Sequence, residues 1–223
     1  MRQHIYLLSW CFLLAVASCA PQPTIIKLQP DDFTRLRTSG PIYAVHTEHD
    51  ALFVWDPRMA SGGGLGFLVF GSLAEREGNK IARENSLQDP VYILRDRFLA
   101  ALASNHGVTN AKVVEETRKD GDQKIEKLRA DFKDGNVLEF KTTASALVPI
   151  QHWISTEWKY TYRAELRLIR LSDGRTLWQQ QCTADGKPLE KKDMFTADGA
   201  KVLKSDMPTA AEECARQLLA KFP

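Results

Sequence analysis

Apolar and polar positions alternate most cleanly in residues 157–171, EWKYTYRAELRLIRL. Trp158, Tyr160, Tyr162, Ala164, Leu166 and Leu168 fall on one side of an extended chain. Lys159, Thr161, Arg163, Glu165 and Arg167 fall on the other. A period of two with one polar side predicts an antiparallel strand that is wet on one face. Ser172-Asp173-Gly174 follows, and then a second strand from Arg175 to Thr183. A two-residue Asp-Gly turn would set Leu168 opposite Gln179 and Glu165 opposite Cys182, mixing the faces. A three-residue loop with Gly174 left-handed sets Leu168 opposite Trp178 and Ala164 opposite Cys182. That register keeps the apolar faces together and turns Cys182 toward the core.

Helical spacing appears at Val91–Asn105, where Val91, Leu94, Phe98 and Leu102 form a stripe that Gly107 can end. It recurs in Lys119–Lys133 (Ile125, Leu128, Phe132) and in Pro208–Phe222 (Ala211, Cys214, Leu218, Phe222). In the last segment Asp206 is the expected cap and Pro208 suits the first turn. Leu65–Asn85 also reads as a helix. Ile42–Thr47, Ala51–Trp55, Ala111–Glu115 and Val137–Leu147 read as strands. The order β-β-α-α-β-α-β-β-β-α predicts an α/β (α+β) sandwich, with a mixed, largely antiparallel sheet and helices mainly on one face.

Residues 1–18 break this pattern. A charged start with Arg2 precedes an apolar run from Ile5 to Val16 that only Ser9 interrupts. This is a secretory signal, too short to span a bilayer comfortably. Its end, Val16-Ala17-Ser18-Cys19, resembles the lipobox of bacterial lipoproteins. The resemblance implies that Cys19 is lipidated and becomes the new amino terminus, so that the chain meets the membrane through acyl chains on Cys19. Ala20, rather than Asp, implies the periplasmic face of the outer membrane. Each buried methylene holds by about 0.8 kcal/mol. Residues 19–40, rich in proline and poor in periodic apolar positions, are expected to be the lipidated terminus and a flexible tether. Residues 41–223 are then a single periplasmic domain.

Composition narrows the function classes. The 223 residues are 43% hydrophobic and 26% charged, enough for a real core. Thirty basic against 28 acidic residues, a net +2, leave no nucleic-acid footprint. Beyond the anchor, only Cys182 and Cys214 follow the signal. Both fall on packing faces, and export makes a disulfide between them the expectation.

The stretch most like a working part is SGGGLGFLVFGS, residues 61–72. Gly66 and Gly71-Ser72 have P-loop spacing, but Ser72 stands where the phosphate-binding Lys belongs. The dinucleotide pattern fails at Val69. The apolar run Leu65–Leu73 is far shorter than the roughly 20 residues of a spanning helix. Two readings stay open. The glycines let a helix lie close against the sheet or another helix. Alternatively, Gly62, Gly63, Gly64, Leu65, Gly66 and Phe67 form a partner-contact segment that inserts between subunits or into lipid. His46-x-x-His49-Asp50 places its histidines on opposite sides of a strand and has no third ligand, so no metal is expected. No nucleophile, zinc or paired-carboxylate motif occurs, and neither a cofactor nor catalysis is expected. Trp153, Trp158, Tyr160, Tyr162 and Trp178 are either sheet-face packing or a binding groove.

Taken together, the helix DPVYILRDRFLAALASNHGV, the hairpin LSDGRTLWQQQC and the following Cys-bearing helix resemble envelope lipoproteins with the fold of the amino-terminal domain of TolB. That group includes ABC-transport auxiliary, curli-secretion and synthase-activator lipoproteins. The resemblance implies a non-catalytic accessory or adaptor with an envelope protein partner. A self-assembling, homo-oligomeric secretion component is the alternative, with a small-ligand or cell-wall-binding module beside it.

Overall fold

The computed structural model describes residues 24–223 apart from 39, 48–51, 57, 62, 120–123 and 152–154, and the side chains of 60–69 are also outside the description. The signal, Cys19, Gly62, His49, Asp50, His152 and Trp153 therefore lie outside it.

Six strands form one sheet: β1 (Ile42–Thr47), β2 (Phe53–Val54), β3 (Ala111–Val113), β4 (Asn136–Gln151), β5 (Thr156–Arg170) and β6 (Thr176–Asp185). The order is β3-β1-β4-β5-β6, with β2 paired to the far half of β4. The pairings of β1 with β3 and of β1 and β2 with β4 are parallel. Those of β4 with β5 and β5 with β6 are antiparallel and account for most of the paired length. The helices are α1 (Pro30–Leu36), α2 (Arg58–Ser61), α3 (Gly63–Glu84), α4 (Val91–His106), α5 (Ile125–Asp131) and α6 (Ala197–Leu219). The mixed sheet and the mainly one-sided helices match the sequence pattern.

The period of two in β1 builds both faces. Ile42 and Ala44 enter the main core with α1, α4 and α6. Tyr43 and Val45 enter a smaller core with Leu128 of α5, Val137, Ile169 and Leu171. The main core centres on Phe98, Phe140, Tyr160, Tyr162 and Trp178, all fully buried. Each such side chain contributes about 2–3 kcal/mol by leaving water. The two tyrosine hydroxyls are satisfied inside it. Tyr160 Oη lies 3.0 Å from Ser145 Oγ. Tyr162 Oη lies 3.4 Å from Thr142 Oγ1. Thr142 donates to Asp89 Oδ1 at 2.7 Å, and the same oxygen accepts the Val91 N–H at the start of α4. One carboxylate thus ties the first turn of α4 to the sheet. Burial pushes both phenols well above their ordinary pKa.

The hairpin has the expected register, Leu168 opposite Trp178 and Ala164 opposite Cys182. It reaches that register by a different route. The loop spans four residues, Leu171 to Gly174, and is closed by the Arg170 N–H donating to Arg175 O. A bulge at Leu177 then restores the register. Gly174 is left-handed, with φ +75°.

Two expectations are corrected. Residues 24–40 are not a free tether. Ile26 pairs with Gln179, Leu28 and Leu36 are buried, and Asp32 on α1 binds Arg170 at 3.1 Å. A few apolar anchors and one ion pair outweigh the polar composition. Next, the C-terminal helix does not start at Pro208. It runs from Ala197 through that residue, with Asp206 inside rather than capping. Ala200, Leu203 and Met207 are buried on the same stripe as Cys214, and that packing carries the helix past the missing N–H. Its first turn is irregular, with Asp198, Gly199 and Ala200 all left-handed. The helix expected within Lys119–Lys133 is present as α5, with Leu128 buried and Phe132 directly after its end.

Close glycine packing does occur in α3, at Gly78. Ala74, Gly78 and Ala82 form a buried stripe of small residues at four-residue spacing. A Cβ on Gly78 would fall on the Leu52 carbonyl, 2.6 Å from its carbon. The obstacle is backbone and cannot rotate away. Gly78→Ala is expected to cost about 2 kcal/mol or more despite its better helix propensity, and urea unfolding followed by circular dichroism would measure it. An unchanged midpoint would show that α3 does not lie this close to β2.

Candidate functional site

The residues singled out by sequence do not converge on one centre. The disulfide pair comes together inside the main core. Cys182 on β6 and Cys214 on α6 are bonded, with Cα atoms 5.2 Å apart, and both are buried. The bond fastens α6 to the last strand of the sheet. Phe222, beyond the end of α6, packs edge-on against Trp178, Phe98 and His106.

The same helix covers the open edge of β6. The Thr183 N–H donates to Gln217 Oε1 at 3.3 Å, and Gln217 Nε2 donates to Thr183 O at 2.9 Å. Lys221 Nζ donates to Gln181 O at 2.7 Å. One step along, the Ile26 and Gln179 backbones exchange two bonds of 3.0 Å. Side-chain amide, ammonium and amino-terminal strand occupy positions that an added strand would need. Gln217 and Lys221 escaped sequence reading, since nothing in their spacing marks them.

The glycine-rich segment opens α3. Gly63, Gly64, Leu65, Gly66 and Phe67 are helical, a backbone compatible with both readings of the segment. Leu73 is 46% exposed just beyond them. Of the aromatic cluster, Tyr160, Tyr162 and Trp178 are core residues with no exposed face. Trp158 is half-buried, with Lys192 Nζ 5.8 Å above its ring.

His46 turns into the core, 1% exposed, at the end of β1. Its Nε2 shares a 2.8 Å hydrogen bond with Thr117 Oγ1, and its ring meets Tyr92 at 4.7 Å. Burial lowers its pKa, Arg95 adds to that, and Glu115 opposes it. The neutral ring is a packing element. Among the described residues no group of three His, Cys, Asp or Glu side chains is placed to hold a metal ion.

Two further carboxyls are held in low-polarity surroundings. Glu139, on the α5 side, receives Arg167 at 2.7 and 3.0 Å. Burial still pushes its pKa up, with Arg167 opposing. Asp206 has Oδ2 enclosed without a hydrogen-bond partner, and Gly186 is so close that a Cβ there would lie 3.0 Å from the carboxyl carbon.

Two outcomes follow from this geometry. Replacing Cys182 and Cys214 together by Ala should cost about 3–4 kcal/mol, the closure entropy of a loop of 32 residues. Urea titration of the oxidised and variant proteins compares them, and equal midpoints would remove the staple from the fold's support. For Asp206, burial raises the folded pKa, with Lys187 opposing. The folded state holds this proton more tightly than the unfolded chain does. Its contribution is full below the ordinary carboxylate range and is lost as pH rises through the raised value. Asp206→Asn should therefore be more stable than the parent at neutral pH and similar to it in acid. Thermal melts across pH read the difference, and parallel profiles would contradict it.

No family model matches the chain, and no curated protein does. Several solved structures are similar in outline. The PelC dodecamer from Paraburkholderia phytofirmans matches at 12% identity and TM-score 0.38, covering 91% of this chain and 96% of that one. A protein from Xanthomonas campestris matches at 11% identity and TM-score 0.39, covering 89% and 93%. A lipoprotein from Neisseria meningitidis matches at 13% identity and TM-score 0.29, covering 81% and 99%. With TM-scores under 0.5, these likenesses carry no argument.

Proposed function

We propose that this protein is a lipid-anchored accessory or adaptor lipoprotein of a bacterial cell-envelope complex, held at the periplasmic face of the outer membrane and acting through protein contacts rather than catalysis. The observation that carries the reading is Val16-Ala17-Ser18-Cys19 at the end of an export signal. The bonded pair Cys182–Cys214 supports it, since such bonds persist in oxidising compartments. The remainder, residues 41–223, is taken as one periplasmic domain that the amino-terminal segment joins. Anchoring confines this domain to one surface and raises its effective concentration for partners there. The partner-contact element in this reading is the segment Gly62 to Phe67, of which Gly63 to Phe67 open α3.

Cys19→Ser is expected to yield a protein without acyl mass that washes off membranes. Cross-linking in living cells, pull-down and mass spectrometry of the wild type should recover a transporter, synthase or secretion subunit that the variant loses. Recovery of the protein alone would favour self-assembly and end the adaptor reading.

A further inference from the structure

The amino-terminal segment fixes which way an anchored domain must face. Thr24 and Ile25 are exposed, and Ile26 is already hydrogen-bonded to the β6 edge. Seven peptide steps separate Cys19 from Ile26, the first residue bonded to the edge. Fully extended they span at most about 25 Å. Pro21 and Pro23 within them restrict the backbone further. A domain of this size is about 40 Å across. A leash shorter than the body it holds keeps the edge it leaves from on the membrane side.

We infer that the β6 edge, together with the last turn of α6, is the surface that meets the phospholipid headgroups. The inference rests on lipidation of Cys19. The chemistry of the edge fits a bilayer surface. Ile25 is 62% exposed, the largest value among the large hydrophobic side chains of the described residues. Lys27 beside it is exposed. Lys221 places its ammonium on the backbone of Gln181, close to where the chain leaves the edge. An exposed apolar side chain and two lysines along one edge suit an interface of acyl chains and phosphates. The edge is also closed to strand partners by Ile26, Gln217 and Lys221, so lipid competes with nothing there. At the other edge, β3 lies five strand spacings from Ile26, about 24 Å at about 4.8 Å each. β2, which carries α3, is likewise beyond β4 from β6. These parts are turned away from the bilayer and toward soluble or membrane-spanning partners.

The test uses the acylated full chain with a fluorophore on Lys27→Cys or on Lys112→Cys, an exposed residue of β3. The protein is placed on phosphatidylcholine–phosphatidylglycerol vesicles containing a nitroxide-headgroup lipid. Quenching is expected to be several-fold stronger at position 27. A flexible spacer of about twenty Gly and Ser residues between Ala20 and Pro21 should abolish the difference. Equal quenching at the two sites in an acylated protein overturns the orientation and leaves the anchor intact. A mature protein without acyl mass overturns the anchor, and the orientation with it.

Discussion

The pairing of β5 with both neighbours is the constraint on which the rest of the structure depends. Its alternation sends Tyr160, Tyr162, Ala164, Leu166 and Leu168 to one side and charged residues to the other. A slip of one residue would exchange those sets and bury five charged or polar side chains. The slip is blocked at both borders. On β4 the bulge at Thr143 sets Thr142 and Ser145 under the two tyrosine hydroxyls. On β6 the bulge at Leu177 sets Trp178 opposite Leu168. Irregularities in the ladder therefore specify the register.

That register decides where the disulfide can form. Cys182 reaches the core side only because Ala164 stands opposite it, and Ala164 is small enough to leave room for α6. Once α6 is fixed there, Gln217 and Lys221 fall along the β6 edge and Phe222 falls onto Trp178. The staple, the covered edge and the aromatic cluster at the end of α6 are consequences of one strand alignment.

Periodicity made the long elements legible from the sequence, and the hairpin register followed from keeping apolar faces together. Short elements were not legible. β2 is two residues long and exists because Leu147 accepts and pairs beside it, which no local pattern announces. α1 is a seven-residue segment held by Asp32 reaching Arg170, a partner 138 positions away. The close approach of α3 to the chain before β2 is made at Gly78. The small-residue period Ala74, Gly78, Ala82 was present in the sequence and would have revealed it. Pro208 misled because its first-turn preference is local, whereas the burial of Leu203 and Met207 is not. Of the candidate site residues, only the two cysteines were brought together. Cys19 and the start of α3 act, in the proposed reading, on partners outside the chain.

The covered β6 edge bears on how copies of this chain can meet. Growth by strand addition needs a free edge at each end of every copy, so that each newcomer leaves a fresh edge behind it. Here one end is occupied by the protein's own backbone and side chains. Two copies that meet through β3 use the same edge on each, so that contact is two-fold. Edge-to-edge assembly by this route terminates as a two-fold pair. A larger ring would have to be built through helices or the open sheet face.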